Sequence, residues 1–454
     1  MKTTFARLGL LLWLTMLPTF SSRALTTLHS FTNGSDGSQP YAGLALGADG
    51  NFYGTCFDGG ANDLGSVFKI TPGGALTPLY SFSFSDGETP TAGLAQGTDG
   101  NFYGTTFEGG ANLGYGTVFQ IGTNGAFNSL YSFTNGIDGA NPYAGLTQGA
   151  NGAFYGTTVN GGTNNNGGVF EITSTGALTS LYSFTNGVDG SQPYAALALA
   201  SDGLFYGTTY FGGSNHDGVI FQMSSTGTLT PLHSFTSASD GANPLGQLLA
   251  TTHSILYGTA FAGGSIGAGT VFSITIGGGF SVLHSFTGGI DGANPAAGLA
   301  LGSDGNLYGT TYRGGPNGNG GIFKITPQGA LTSLYLFSGG NDGSASYATL
   351  VQDNDGDFYG TTQYGGADGD GVVFKINALS TAPVLTSITL SAGAINITWS
   401  GLPGQSFQAQ YATNLTQTNW NSLGGTVTAT NGFGSQTDSA PGSPERFYRV
   451  YLIP

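Results

Sequence analysis

Between residues 25 and 377 the chain alternates short apolar runs with clusters of Gly, Asn, Asp, Ser and Pro, and this alternation is itself repeated. The stretch AGLALGSDGNLYGTTYRGGPNGNGGIFKITPQGALTSLYLF, residues 297–337, is one unit. Its pattern predicts strands at 297–302, 306–312, 321–326 and 330–337, with turns at Ser-Asp-Gly and Thr-Pro-Gln-Gly. Seven copies follow one another, their Tyr-Gly-Thr starting at Tyr53, Tyr103, Tyr155, Tyr206, Tyr257, Tyr308 and Tyr359. A period of about 50 residues marks a propeller, solenoid or array, and four antiparallel strands per unit make a blade. The predicted fold is all-β, a seven-bladed β-propeller followed by a small β-sandwich; a β-solenoid is the alternative.

Which positions the fold holds fixed emerges from comparing the copies. Phe68, Phe119, Phe170, Phe221, Phe272, Phe323 and Phe374 are spaced by 51 residues, as are His29, Tyr80, Tyr131, Tyr182, His233, His284 and Tyr335. Such spacing is expected if each Phe fills the same gap between neighbouring blades, where burying one ring contributes about 2 kcal/mol. The Tyr-Gly-Thr spacing drifts because the second repeat lacks a residue near 83–86 and gains one within 111–116. Both changes fall in loops of the same face, since antiparallel strands alternate direction, and that variable face is the expected binding face. The chain opens on a fourth-strand signature at 26–31 (TTLHSF), and the seventh repeat stops after its third strand at 371–377. The first segment is therefore expected to complete the last blade and remove an open edge.

Composition narrows the class. Charged residues make up 7% of the 454, against about a quarter in ordinary domains, but 31 Phe and 22 Tyr call for a packed core rather than disorder. Residues 1–24 read as a secretory signal peptide: Lys2 and Arg7, an apolar run at 8–20, then Ser22 and Ala24 before the cleavage point. The run is shorter than the ~20 residues that span a bilayer, which disfavours an anchor, and no later segment is apolar enough. After the leader, 6 basic residues face 24 acidic ones, a formal charge of −18, which excludes a phosphate-binding surface and so nucleic acid. Cys56 is the only cysteine and stands where other repeats have Thr106, Thr158, Thr209, Ala260, Thr311 and Thr362, so it reads as a small-residue substitution.

The motifs xDGxxPYAGL, DGNFYGTTxxGG, GTVFKIT and GALTxLYSF together resemble the GloVer (Gloeo/Verruco) tandem repeat of exported bacterial proteins. The resemblance covers residues 25–377 and implies an extracellular or cell-surface location, but no catalytic residues. The chain ends FYRVYLIP, without the apolar segment and basic tail of an anchored member. Residues 378–454 leave the period and predict strands at 387–390, 395–399, 407–411, 426–430 and 447–451. ITWS, NLTQTNW and RFYRV make this tail similar to a fibronectin type III-like sandwich, with Trp399 and Trp420 as packing groups.

Candidate chemistry is sparse. Asp36, Asp86, Asp138, Asp189, Asp240, Asp291 and Asp342 precede Gly in the blade-to-blade loops and read as turn formers. One carboxylate per loop falls short of the six to eight oxygens of a Ca²⁺ site, although Ca²⁺ remains the one cofactor the loops suggest. A second series, Asp49, Asp99, Asp202, Asp304 and Asp355, reads as Asp-Gly hairpin turns on the opposite face. His216 and His253 lie in loops with no evident partner. The slot before Gly-Gly differs in every repeat: Asp58, Glu108, Asn160, Phe211, Ala262, Arg313 and Tyr364. All of these except Ala262 are the candidate binding residues, beside the axial pit. The expected function is that of an exported, non-catalytic monomer that binds an extracellular glycan or protein through this face. The alternative is a polysaccharide-degrading glycosidase or lyase, with Asp58 and Glu108 as a carboxylate pair.

Overall fold

The computed structural model describes residues 25–112, 114–377, 384–391, 394–400, 406–413, 420–428, 433–439 and 446–453; the leader expected at 1–24 lies outside them. Every regular element among these residues is a strand. They fall into two compact units, one within Ala24–Leu379 and one within Ser380–Pro454.

The first unit holds seven four-stranded antiparallel sheets, each in the order inner, second, third, outer. In blade 1 these strands are Ala45–Leu46, Phe52–Cys56, Ser66–Ile70 and Leu76–Ser81. Blade 7 combines Val351–Gln352, Phe358–Thr362 and Val372–Ile376 with Leu25–Ser30 as its outer strand. Leu25 pairs with Ile376 and Ser30 with Val372, so the first strand of the repeat region completes the last sheet.

The inner strands are shorter than the pattern predicts: in the sixth repeat Ala300–Leu301 pair, not 297–302. The backbone just before them serves the neighbouring blades instead. Thr55 Oγ1 donates to Ala92 O of the next blade at 2.9 Å, and equivalent bonds run from Thr105, Thr157, Thr259 and Thr310. Thr361 of blade 7 makes the same bond to Ala42 of blade 1 at 2.9 Å, which closes the ring.

The core lies between blades. Phe119 is fully buried in a cluster that joins Tyr53 and Val67 of blade 1 to Leu94, Phe102 and Ile121 of blade 2. The other six repeat Phe rings are likewise buried. Their placement explains the Gly of Tyr-Gly-Thr: a Cβ on Gly104 would sit 2.5 Å from Phe119 Cζ, and in every copy that distance is 2.4–2.7 Å. The preceding Tyr stacks on the next blade, as Tyr53 does on Phe102 and Tyr359 on Phe52, both at 4.1 Å. Tyr53 also donates to Asp49 at 2.8 Å, so the second Asp series anchors a core tyrosine as well as its own turn. In blade 7 this role passes to Asp353, which accepts from the amides of Asp355 and Asp357; Asp355 is not the turn acceptor that the repeat alignment suggests.

The second unit is a sandwich. Val384–Ser391, Ala394–Ser400 and Phe433–Asp438 form one sheet, and Ser406–Ala412 pairs with Asn421–Ser422, Val427–Thr428 and Phe447–Leu452 in the other. Ile397 and Trp399 meet Phe407, Ala409 and Leu423 between them. Phe433–Asp438 escaped the sequence pattern because GSQT offers no apolar alternation. The predicted strand at 426–430 is described only as Val427–Thr428. Trp420 packs under the Arg449 guanidinium at 4.5 Å. Among the described residues no helix is long and apolar enough to cross a membrane.

Candidate functional site

The blade-to-blade loops are built around their Asp. Asp36 accepts from Thr32 Oγ1 at 2.7 Å, from the amides of Thr32 and Gly34, and contacts His29 Nε2 at 3.0 Å. Burial alone would raise its pKa, but the bonds from Thr32 and His29 outweigh burial and hold it low. In every blade the 51-spaced Tyr or His reaches this Asp: Tyr80 to Asp86 at 2.8 Å, His233 to Asp240 at 3.0 Å and His284 to Asp291 at 3.1 Å among them. Sequence reasoning listed both series without pairing them; the signal was their nearly constant offset of seven.

These loops are laced to the second-to-third loops of the same face. Ser38 N donates to Asp58 O at 2.9 Å and Asp58 N to Ser38 O at 3.3 Å, and the bridge recurs at Glu108, Asn160, Phe211, Ala262, Arg313 and Tyr364. The variable slot is therefore fixed by its backbone, which leaves its side chain free to differ. Asp58 accepts from Gln39 Nε2 at 3.0 Å, and burial and Asp63 raise its pKa. Glu108 faces Glu88, whose pKa rises through burial and this neighbour. Asn160 donates to Asn141 at 3.2 Å, and Arg313 lies over Tyr312 at 5.3 Å. Phe211 and Tyr364 are 41% and 42% exposed. Asp58 and Glu108 thus each engage a residue of the blade-to-blade loop bridged to their own, Gln39 and Glu88.

Other candidates are placed away from chemistry. Cys56 is fully buried, with Sγ 3.7 Å from Asp36 O, and burial pushes its thiol pKa well up. His253 Nδ1 meets Thr252 at 3.4 Å, and His216 sits in a loop at φ 62°. Among the described residues no three His, Cys, Asp or Glu side chains are grouped to hold a metal ion.

The variable slots do not line the axial pit. Its cavity of about 120 Å³ is walled by the residues that follow the loop Pro, or Ser346 in blade 7, above all Tyr41, Tyr143, Tyr194 and Tyr347. Tyr41 stacks on Tyr347 at 4.2 Å, and the Tyr143 hydroxyl donates to that of Tyr41 at 2.6 Å. Burial, with the neighbouring phenols, keeps these hydroxyls protonated and raises Tyr347 to about 12. Ring contacts continue from Tyr347 to Tyr312 and Phe261 on one side, and from Tyr143 through Tyr194 and Tyr210 to Phe211 on the other. Phe107 of blade 2 joins this run at Tyr143, 5.9 Å away, so aromatic rings from all seven blades stand beside the mouth, in a run that starts at Phe261 of blade 5 and ends at Phe211 of blade 4. Below it, a second cavity of about 360 Å³ is lined largely by Leu and Ala; Gln247, Gly298 and Thr349 border both. The sequence carried this site in plain view as PYAGL, but as a repeat signature rather than a wall.

Two solved structures share the fold. One is the extracellular domain of a hybrid two-component system from B. thetaiotaomicron, 13% identical with a TM-score of 0.53, covering 95% of this chain and 55% of that one. The other is the extracellular domain of a one-component system from the same organism, 11% identical with a TM-score of 0.53, covering 84% and 46%. The chain spans about half the length of each. A gluconolactonase from Xanthomonas campestris matches with a TM-score of 0.42 and 12% identity over 79% of this chain and 90% of its own. No curated protein sequence matches. The model of the Gloeobacter/Verrucomicrobia repeat matches residues 16–201 and 192–435, reaching past the seven blades at both ends, and the chain belongs to that repeat family.

Proposed function

We propose that this is an exported, non-catalytic binding protein that presents the aromatic-rimmed face of its propeller to an extracellular ligand. The observation that carries the reading is the run of aromatic rings beside the axial mouth, with Phe211 and Tyr364 left open to solvent on the same face. Aromatic faces supply rigid contact area at low entropic cost, and tyrosine adds a polar edge. The Asp36 series is held in its turns and Asp58 by Gln39, which supports binding over hydrolysis. The leader at 1–24 would direct export, and the tail, read as a fibronectin type III-like module, would act as spacer or attachment.

The mature chain, whose secreted form should begin at Leu25 by mass spectrometry, is tested on a glycan array alongside a reducing-sugar assay. Retention without release of sugar ends is expected. Phe211→Ala with Tyr312→Ala should weaken retention at least tenfold. Release of sugar ends that Asp58→Asn abolishes would replace this reading with a glycosidase or lyase.

A further inference from the structure

The wall of the pit is uneven, and the unevenness follows the sequence. Four blades place Tyr at the first wall position, whereas blades 2, 5 and 6 place Thr91, Leu245 and Ala296 there. Thr91 is alone between two tyrosines, and the Tyr143 to Tyr41 hydrogen bond closes over it. Leu245 and Ala296 are in consecutive blades, so no tyrosine pair bridges that side of the wall. Blade 5 departs at three positions running, Leu-Gly-Gln where blade 1 has Tyr-Ala-Gly. Gln247 brings a carboxamide to the pit; its Nε2 donates to Leu197 O at 2.8 Å. Thr208 Oγ1, whose counterparts in six blades donate to the backbone just before the next inner strand, is buried here without a partner.

We infer that this pit, on the side left without tyrosine by blades 5 and 6, receives one neutral sugar ring, the terminal pyranose of a glycan; the inference rests on the binding reading above. No ionised side chain lines the cavity, whose wall is Tyr, Leu, Ala, Gly, Thr and Gln, so an anionic or cationic group would lose its hydration without a counter-charge. A pyranose instead offers C–H faces to tyrosine rings and hydroxyls to phenol oxygens and a carboxamide. The volume of about 120 Å³ accommodates one ring, and the closed circle of walls favours a chain end over a strand passing through. A proline-rich peptide needs an open-ended aromatic groove, which this circle does not provide.

The test is saturation-transfer NMR on the full mature chain with maltotriose, cellotriose, xylotriose and mannotriose, and with hexaproline as the contrasting probe. At least one trisaccharide should receive transfer concentrated on a terminal ring. Ala296→Tyr inserts the residue that four blades already carry at this backbone position, so it should lower that affinity at least tenfold with an unchanged unfolding midpoint. Gln247→Gly, the residue of blades 1, 2, 3 and 6, should weaken binding less. If Ala296→Tyr alters the fold, Leu245→Tyr serves in its place. Transfer to no trisaccharide, trisaccharide binding indifferent to both tyrosine variants, or hexaproline binding that they block would each overturn the inference. Retention on the array that needs Phe211 and Tyr312 but survives Ala296→Tyr would leave the binding reading standing alone.

Discussion

Gly207 tests the claim that the Tyr-Gly-Thr glycines are set by the ring across the strand. A methyl at Gly207 would lie 2.5 Å from Phe221 Cζ, 3.0 Å from its Cε1 and 2.8 Å from Leu197 Cδ2. Carbon atoms rest at about 3.5–4.0 Å, so the ring must retreat by roughly 1 Å inside a fully buried cluster. Overpacking of this kind costs about 1–3 kcal/mol, while Gly→Ala gains back about 0.4–1 kcal/mol by restricting the unfolded chain. Gly207 is not at positive φ, so no backbone strain adds to this. Gly207→Ala should therefore destabilise by about 1–2 kcal/mol in urea unfolding. Phe221→Leu removes the colliding ring atoms and should rescue it, with a coupling of about 1 kcal/mol in the double-variant cycle. Additive single effects, or an unchanged midpoint for Gly207→Ala, would refute the packing argument.

Further expectations concern polar groups. Thr361→Val removes the ring-closing bond to Ala42 and should cost about 1–2 kcal/mol, whereas Thr208→Val removes a partnerless hydroxyl and should be neutral or stabilising; equal losses in unfolding experiments would contradict the assignment. Glu88 has a raised pKa in the folded state, so its neutral form is favoured and its contribution is lost as pH rises through that value. Glu88→Gln should raise the unfolding midpoint at neutral pH, with the gain vanishing in acid. Asp291 is held low despite burial by bonds from Thr287 and His284, so its contribution is present at neutral pH and lost as pH falls. Asp291→Asn should show its largest cost at neutral pH and converge on wild type in acid. Cys56 should resist thiol reagents in the native protein and react only on unfolding; fast native labelling would show that the blade interface opens.

Much of the fold was legible because its determinants are periodic. The 51-residue Phe spacing and the TTLHSF fragment at the start of the repeats are both one-dimensional signals of closure. The short inner strands were not legible, since whether residues 297–298 pair within their sheet or serve the next blade depends on how tightly seven sheets converge. The contact between Tyr41 and Tyr143 is of the same kind: it skips a blade and exists only because Thr91 is small and the channel narrow. Asp353 replacing Asp355 was hidden by DNDGD, where three carboxylates compete for one turn and only geometry selects the acceptor.

Because Leu25–Ser30 finds its partner in Val372–Ile376, the first strand of the repeat region is the one that must wait longest. Loop closure rises only logarithmically with length, so this seam costs little at equilibrium. In time it is expensive, since a contact so distant along the chain is among the slowest to form. Until it does, the third strand of the seventh sheet keeps a bare edge open to any neighbouring chain. Assembly is therefore most vulnerable to mispairing between copies at its final step, and dilution or a chaperone holding that segment should raise refolding yield more than any change within the other six sectors.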